Sequence, residues 1–231
     1  MNIALILAGG SGIRMHREMP KQFIPVEGKP ILAYTISRFQ NHPRIDRIII
    51  VCVEGWEEFV LSLCSQQGFH KVGCVVSGGE TALDSIRKGI ETLKCAPDDI
   101  IVIHDGVRPM VDAASIDAVI EDCQKYGGAI SAIPTVEHIV YMGENRTDIQ
   151  YLSREKTFTT FTPQAYHFGD IIDAYRIMDE SGVGQGSAFI GTLMMDVGKP
   201  VCLSKGSEFN IKITTPKDLA LFNLLLTESK L

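Results

Sequence analysis

The stretch Leu7-Ala8-Gly9-Gly10-Ser11-Gly12-Ile13-Arg14-Met15 follows an apolar segment, Ile3–Leu7, with the composition of a buried strand. Its three glycines keep Cβ atoms away from the backbone, so successive N–H groups can converge on an anion. Arg14 and, a few residues on, Lys21 supply two cations beside this turn. The combination predicts a site for a polyphosphate, and we expect that polyphosphate to belong to a nucleotide.

Two commoner glycine motifs do not fit this run. A Walker loop closes with Gly-Lys-Ser/Thr, which is missing here, and the dinucleotide fingerprint requires a third glycine where this chain has Met15. An NAD-dependent oxidoreductase, the alternative from another enzyme class, also needs an acidic residue about 20 positions past the glycines. Glu54 follows the next apolar strand but lies more than twice as far along.

The composition is that of an ordinary globular chain. Its 231 residues, 45% hydrophobic and 22% charged, are expected to form one domain, residues 1–231. The net charge of −6 argues against nucleic acid and membrane surfaces as partners, so affinity for a polyphosphate must come from a local cationic pocket. The six scattered cysteines favour reduced thiols over a zinc site or disulfides.

The start of the sequence bears on the cellular compartment of the protein. No apolar run reaches the length of a membrane span, and Met1-Asn2 leads into a strand without a basic or cleavable leader. We therefore expect a cytoplasmic protein.

Short runs rich in isoleucine and valine alternate with amphipathic helical patterns. The predicted strands are Ile3–Leu7, Arg47–Val53, Cys74–Val76, Ile100–His104 and Ala129–Pro134, and the predicted helices between them are Ile31–Phe39, Glu57–Gln67, Ala82–Leu93 and Ser115–Tyr126. Such alternation predicts an α/β fold with a mostly parallel sheet. Ligands of these sheets lie at the carboxyl ends of the strands, where the glycine run, Gly78-Gly79 and Asp105 would meet.

The segment from Thr135 to Thr160 breaks this rhythm. His138–Tyr141 and Asp148–Leu152 alternate like two strands around the turn-prone Gly143-Glu144-Asn145-Arg146, which predicts a projecting β-hairpin arm at about 135–160. A two-stranded ribbon is marginally stable alone, so we expect it to pack on a second subunit of a homodimer.

The rest of the chain returns to alternating elements. The sequence predicts a helix over Phe168–Ser181, strands over Val201–Ser204 and Asn210–Thr214, and a last helix capped by Thr215, with Pro216 at its first position and Asp218 at its third. Lys212 falls within the second of these strands.

The chain resembles the cytidylyltransferases of the methylerythritol-phosphate and ribitol-phosphate type, which are nucleotidyltransferases that activate phosphorylated alcohols. Besides the glycine run, the resemblance is carried in order by Gly78-Gly79-Glu80, Ile103-His104-Asp105-Gly106-Val107-Arg108-Pro109, Arg154, Thr162-Pro163-Gln164 and Asn210-Ile211-Lys212-Ile213-Thr214-Thr215-Pro216. It implies a Rossmann-like fold of the nucleotide-diphospho-sugar transferase type. It also implies transfer of a cytidylyl group from CTP to a small alcohol phosphate, with release of pyrophosphate and with the arm completing the neighbouring active site.

The resemblance also implies roles for individual residues. The catalytic residues would be Arg14, Lys21 and Lys212, which stabilise charge on the reacting phosphates. The nucleotide would contact Ala8, Gly9, Gly10, Ser11, Gly12, Gly78, Gly79, Glu80, Ser85, Asp105 and Gly106. The acceptor would contact Asp105, Arg108, His138, Arg154, Thr162 and Phe189, with Arg154 supplied by the partner subunit. The expected cofactor is Mg²⁺, held chiefly by the triphosphate and water, with Asp105 as the candidate protein ligand.

Three places depart from the family pattern. Ala82 stands where an arginine usually follows the cytosine-reading turn, which makes strict preference for CTP less secure. His138 replaces a threonine and Ala188-Phe189 replaces Thr-Asp or Ser-Asp, so the acceptor pocket is less suited to a polyol. Because these departures are also compatible with lost activity, a noncatalytic nucleotide sensor remains an alternative.

Other features look more like the ribitol-phosphate branch: Ala8-Gly9-Gly10, Pro20-Lys21-Gln22-Phe23, Trp56, Lys199-Pro200 and Lys205-Gly206. We therefore expect D-ribitol 5-phosphate as the acceptor. The alternatives are 2-C-methyl-D-erythritol 4-phosphate, of isoprenoid precursor synthesis, and a third acceptor such as another precursor of a surface polymer.

Overall fold

Runs of isoleucine and valine form strands, and the amphipathic segments between them form helices. The computed structural model describes residues 1–10 and 19–228. The strands are β1 (Asn2–Ala8), β2 (Pro25–Val26), β3 (Lys29–Pro30), β4 (Arg47–Cys52), β5 (Val72–Ser77), β6 (Ile100–Asp105), β7 (Gly128–Pro134), β8 (Val140–Met142), β9 (Ile149–Tyr151), β10 (Phe158–His167) and β11 (Cys202–Lys205). The helices are α1 (Ile31–Gln40), α2 (Glu57–Gln67), α3 (Ala82–Glu91), α4 (Ala113–Tyr126), α5 (Phe168–Ser181), α6 (Ile190–Asp196) and α7 (Pro216–Glu228).

Seven strands form the central sheet, in the order β11-β7-β10-β6-β1-β4-β5. Every neighbouring pair is parallel except the two that involve β10, which runs antiparallel to β6 and β7. The predicted α/β fold with a mostly parallel sheet is confirmed. Since β1 lies between β4 and β6, the strand order reverses at β1, and a crevice at such a point is where ligands of open α/β sheets bind.

The alternating side chains of β1 point into two different apolar layers. Ala4 and Ile6 pack with α1, α2 and α4 on one face, and Ile3 and Leu5 pack with α3, α5 and α6 on the other. All four side chains are fully buried, as expected for a central strand covered on both faces. The carboxyl end of β1 is therefore rigidly placed.

The prediction of a strand over Asn210–Thr214 is wrong, because this segment does not join the sheet. Its apolar alternation has another cause: Ile213 is buried against the loop after β6, and its N–H donates to the Val107 carbonyl at 2.9 Å. The predicted start of α7 is confirmed. The Thr215 N–H donates to the Asp218 carboxylate at 2.7 Å, and the Asp218 N–H donates to Thr215 Oγ1 at 3.4 Å.

The arm is a separate two-stranded sheet formed by β8 and β9. All six of its strand residues are exposed. Its strands are shorter than predicted, and the segment that we call the arm ends at residue 157 rather than at 160. Phe158–Thr160 belong to β10 and pair with β7 in the central sheet.

Four elements were not predicted, namely the two-residue strands β2 and β3, the strand β10 and the helix α6. The apolar alternation of β10 is interrupted by a register shift between Phe161 and Gln164, so the strand does not stand out in the sequence. Helix α6 is only seven residues long, and its N-cap residue, Phe189, makes no capping hydrogen bond with its side chain.

Within residues 1–10 and 19–228, every helix is too short or too polar to cross a lipid bilayer.

Candidate active site

A pocket lies where β1, β5 and β6 end. The sheet register brings these ends to one level: Leu7 of β1 is paired with Asp105 of β6 and with Val51 of β4, which in turn is paired with Val76 of β5. Its lining residues are Leu7, Ala8, Gly9, Gly10, Lys21, Gln22, Gly79, Glu80, Thr81, Ala82, Ser85, Asp105, Val107 and Lys212. The structure thus brings together most of the predicted catalytic and nucleotide-binding residues. Arg14, Ser11 and Gly12 lie outside the described residues.

Gly78 and Gly106, also predicted to bind the nucleotide, sit directly behind this lining. Each extends the parallel ladder by one residue: the Gly78 N–H donates to the Cys52 carbonyl and the Gly106 N–H to the Leu7 carbonyl, both at 2.7 Å. A Cβ atom on Gly106 would lie 3.0 Å from the Leu7 carbonyl oxygen. Glycine is needed here because the two backbones approach so closely.

The turn from Gly78 to Thr81 is fixed by α3. The Gly79 N–H donates to Ser85 Oγ at 3.0 Å, and Lys88 Nζ donates to the Gly78 carbonyl at 2.8 Å. Thr81 and Asp84 form a reciprocal capping box at the start of α3. A Cβ atom on Gly79 would collide with Asp84. The turn is therefore held in one shape by the first two turns of this helix.

The predicted catalytic Lys21 begins a 3₁₀ turn, Lys21–Phe23, and is only 9% exposed. The two residues after it hold this turn in place. The Gln22 side-chain amide donates to the Ala8 carbonyl at 2.6 Å, and the Phe23 ring stacks on Trp56 with 4.4 Å between ring centroids. Lys21 is thus attached both to the end of β1 and to the start of α2.

Asp105 is the centre of a charged cluster beside the pocket. Its carboxylate lies 2.8 Å from Arg108 Nε and 3.1 Å from Lys212 Nζ, and its N–H donates to Thr162 Oγ1 at 3.0 Å. Burial would raise the pKa of Asp105, but the charges of Lys212 and Arg108 outweigh burial, so the pKa lies below its ordinary value. The carboxylate is therefore ionised at neutral pH and is bonded to two of its predicted site partners.

His104, which precedes Asp105, supports the same loop from inside the sheet. Its ring is fully buried, and Nε2 is 3.1 Å from the Arg108 carbonyl, which can only accept. Nε2 therefore carries the proton. Burial lowers the pKa of His104 to about 4, so the ring is neutral and serves as a structural donor.

Three predicted acceptor residues lie away from the pocket within this chain. His138 and Arg154 belong to the arm, and Phe189, which is 61% exposed, stands at the N-cap position of α6. None of the three lines the pocket formed by the described residues. Arg108 and Thr162, in contrast, contact Asp105 directly.

Some residues at the site were not singled out from the sequence. Gln22 and Asn210 each tie a predicted catalytic lysine to another segment of the chain through the side-chain amide. No local pattern reveals such long-range bonds. Thr81 could have been found, because Thr followed three residues later by Asp predicts a capping box.

In the described ranges, no three His, Cys, Asp or Glu side chains are grouped so as to hold a metal ion. Asp105 nevertheless lines the pocket. One carboxylate next to phosphate oxygens suits Mg²⁺, which keeps several of its waters when bound.

Known proteins match this chain over nearly its whole length. The family model described as IspD: 2-C-methyl-D-erythritol 4-phosphate cytidylyltransferase matches residues 2–228. A ribitol-5-phosphate cytidylyltransferase of Lacticaseibacillus paracasei is 41% identical over 234 residues, and a 2-C-methyl-D-erythritol 4-phosphate cytidylyltransferase of Clostridium acetobutylicum is 38% identical over 233, each alignment covering 100% of both proteins. The crystal structure of 4-diphosphocytidyl-2C-methyl-D-erythritol synthase from Anaerococcus prevotii superimposes with a TM-score of 0.82 at 23% identity, covering 98% of each chain.

Proposed function

The chain belongs to the 2-C-methyl-D-erythritol 4-phosphate cytidylyltransferase (IspD) family, and from that premise we propose that it transfers a cytidylyl group from CTP to D-ribitol 5-phosphate. Membership of the family makes the chain a CTP-dependent nucleotidyltransferase; the identity of the acceptor is what we propose. The observation that carries the proposal is the pocket at the ends of β1, β5 and β6, which Lys21, Lys212 and Asp105 line together.

In the proposed reaction an oxygen of the acceptor phosphate attacks the α-phosphorus of CTP. The bond from this phosphorus to the oxygen that bridges to the β-phosphate breaks, and its electron pair leaves with pyrophosphate. No covalent intermediate on the protein is needed. Lys21 and Lys212, together with Arg14 outside the described residues, would offset the negative charge that grows on the phosphates.

We assign the cytosine ring to the turn Gly78–Glu80. Backbone carbonyls can accept a hydrogen bond from the amino group of cytosine, which uracil lacks. Ala82 lines the same pocket and offers no hydrogen bond from its side chain. We therefore expect the preference for CTP over UTP to depend on the rigid backbone of this turn.

Two observations favour ribitol phosphate as the acceptor. The ribitol-5-phosphate cytidylyltransferase of Lacticaseibacillus paracasei is 41% identical to this chain, against 38% for the 2-C-methyl-D-erythritol 4-phosphate cytidylyltransferase of Clostridium acetobutylicum. Trp56, one of the features that resemble the ribitol branch, packs on the Lys21 turn through Phe23. The second candidate acceptor is 2-C-methyl-D-erythritol 4-phosphate, which the match to the family model favours.

Magnesium is the proposed cofactor. When bound to the triphosphate it would neutralise part of the phosphate charge, and Asp105 is the side chain that would approach it. Treating the protein with EDTA and restoring Mg²⁺ stepwise should abolish and then restore activity.

We also propose a homodimer in which the arm packs on a second copy of the chain. The strands of the arm expose apolar side chains, among them Met142 at 60% and Tyr151 at 59%. Arg154 is exposed in the same arm, and its guanidinium is suited to bind a phosphate through two hydrogen bonds. The arm would thus carry Arg154 to the acceptor site of its partner.

For the location we propose the cytoplasm. All six cysteines are free, which fits a reducing compartment.

The experiment that tests the acceptor is pyrophosphate release from CTP with a panel of alcohol phosphates. We expect the highest kcat/KM with D-ribitol 5-phosphate and little release from UTP. A higher value with 2-C-methyl-D-erythritol 4-phosphate would replace the proposed acceptor. Binding of CTP without release for any acceptor would instead indicate a nucleotide sensor.

A further inference from the structure

The segment that carries Lys212 lacks the support of a sheet. It lies outside the seven-stranded sheet, and on each side of the lysine one residue is hydrogen-bonded to a distant segment of the chain. On one side the Ile213 N–H donates to the Val107 carbonyl, and the Ile213 side chain is fully buried. On the other side is Asn210. The backbone position of Lys212 therefore depends on these two residues, while its ammonium contacts the Asp105 carboxylate at 3.1 Å.

Asn210 connects three segments of the chain. Its side-chain Nδ2 donates to the Thr162 carbonyl of β10 at 2.8 Å, and its backbone carbonyl accepts from Arg108 Nη1 at 2.8 Å. Thr162 and Arg108 are themselves bonded to Asp105. Asn210 thus closes a ring of contacts around the carboxylate that Lys212 also touches.

The burial of Asn210 argues for a specific task. The residue is only 3% exposed, and within the described part of the chain its Oδ1 is buried without a hydrogen-bond partner. An unpaired buried acceptor is unfavourable, so a side chain chosen for packing alone would be apolar. The reverse orientation of the amide would set Oδ1 against the Thr162 carbonyl, and two acceptors repel. The Nδ2 bond is therefore the contact for which an amide is needed.

We propose that Asn210 is a positioning residue, which through its bond to Thr162 holds the 210–213 segment so that Lys212 reaches the reacting phosphates. Asn210 does not touch the substrates itself. This inference rests on the catalytic role proposed for Lys212. Because a displacement of about 1 Å can cost 10²-fold in rate, one lost bond behind the lysine has a large effect.

The test is a double-mutant cycle of Asn210→Ala and Lys212→Ala, with pyrophosphate release measured at saturating CTP and acceptor. We expect Asn210→Ala to lower kcat by roughly 10-fold to 100-fold, with less than about a threefold change in the KM for CTP. In the Lys212→Ala background the same change should lower the residual rate less than about twofold, because the group being positioned is gone. A raised enzyme concentration, still below that of CTP and the acceptor, makes that residual rate measurable.

Controls separate positioning from folding. Asn223→Ala removes an exposed amide on α7 and should leave kcat unchanged. Urea unfolding is measured for every variant, and Asn210→Ser, whose hydroxyl is too short to reach the Thr162 carbonyl, takes the place of Asn210→Ala if that variant does not fold.

Each outcome decides a different claim. An equal loss of kcat in both backgrounds, or an unchanged kcat in folded Asn210→Ala or Asn210→Ser protein, would overturn the positioning role. Full activity of Lys212→Ala would remove Lys212 from the mechanism and this inference with it. Absence of pyrophosphate release by the unaltered protein would refute the proposed function itself.

Discussion

The pocket and the arm are built in opposite ways. Asp105 in the pocket is held by Arg108, Lys212 and Thr162, which come from three separate segments of the same chain. In the arm, β8 and β9 pair only with each other among the described strands, and all of their side chains are exposed. Among the described residues, most of those proposed to bind the nucleotide therefore meet in one pocket of one chain, whereas His138 and Arg154, proposed to bind the acceptor, lie on the arm away from that pocket.

The largest expected effect lies on the pocket side of this comparison. Lys21→Ala should lower kcat by roughly 10²–10³, because a cation that stabilises the charge of the transition state is lost. Thermal unfolding should change little, since Gln22 and Phe23 still hold the turn. The matched control is Lys94→Ala, an exposed lysine away from the pocket, which should keep its turnover. Near-normal kcat for the Lys21 variant would remove this residue from the mechanism.

The second largest effect is expected on dimerisation through the arm. Val140→Ser combined with Met142→Ser removes two apolar side chains, 52% and 60% exposed, which the proposed dimer would bury. The lost burial of apolar surface, worth about 3 kcal/mol, should raise the dissociation constant of the dimer roughly 100-fold, as measured by sedimentation at a series of concentrations. Leu61→Ser, at 52% exposure on α2, is the control and should not dissociate the dimer. Equal sedimentation of all three proteins would argue that the arm is not the interface.

The same contrast explains how much of the structure could be predicted from the sequence. The strands that end at the pocket could be predicted, because a parallel strand buried on both faces is a continuous apolar run, as in Ile100–Ile103 of β6. Their convergence followed from topology alone. The segment Asn210–Thr214 could not be assigned correctly, because apolar alternation arises equally from pairing in a sheet and from packing on a loop.

Bonds between distant segments were also invisible in the sequence. The residues that tie Lys21 and Lys212 in place are Gln22 and Asn210, and their partners lie 14 and 48 positions away. Periodicity describes the nearest neighbours in a helix or strand and carries no information on such contacts. The roles of the arm residues were obtained from the family resemblance, and within one chain they stay predictions.

A smaller effect is expected at His138 and Phe189, where the chain departs from the family pattern of the acceptor pocket. Phe189→Asp with His138→Thr should raise kcat/KM for D-ribitol 5-phosphate roughly 10-fold, because polyol hydroxyls regain hydrogen-bond partners worth about 1 kcal/mol each. The KM for CTP should not change, since neither residue lines the nucleotide pocket. Phe209→Ser, an exposed phenylalanine of similar accessibility, serves as the control. Unchanged kcat/KM for every acceptor in the panel would place both positions outside the acceptor site.

The last prediction asks whether pocket and arm act across two chains. Arg154→Ala and Lys21→Ala subunits are each expected to be nearly inactive alone. In a mixed dimer one site would combine the intact Lys21 of the first chain with the intact Arg154 of the second, while the other site would lack both. With free exchange at equal concentrations about half of the dimers are mixed, so activity should recover to roughly one quarter of the wild-type value.

The recovery has to be measured together with subunit exchange, which native mass spectrometry follows. A second mixture, of Lys21→Ala with Lys212→Ala subunits, is the matched control. Both of these residues line the same pocket of one chain, so each site of a mixed dimer keeps one defect and no activity should return. Recovery in the first mixture alone would assign Arg154 to the partner's site. If exchange is complete and neither mixture recovers, Arg154 acts within its own chain or in no site, and the pocket would then need no arm from a second copy.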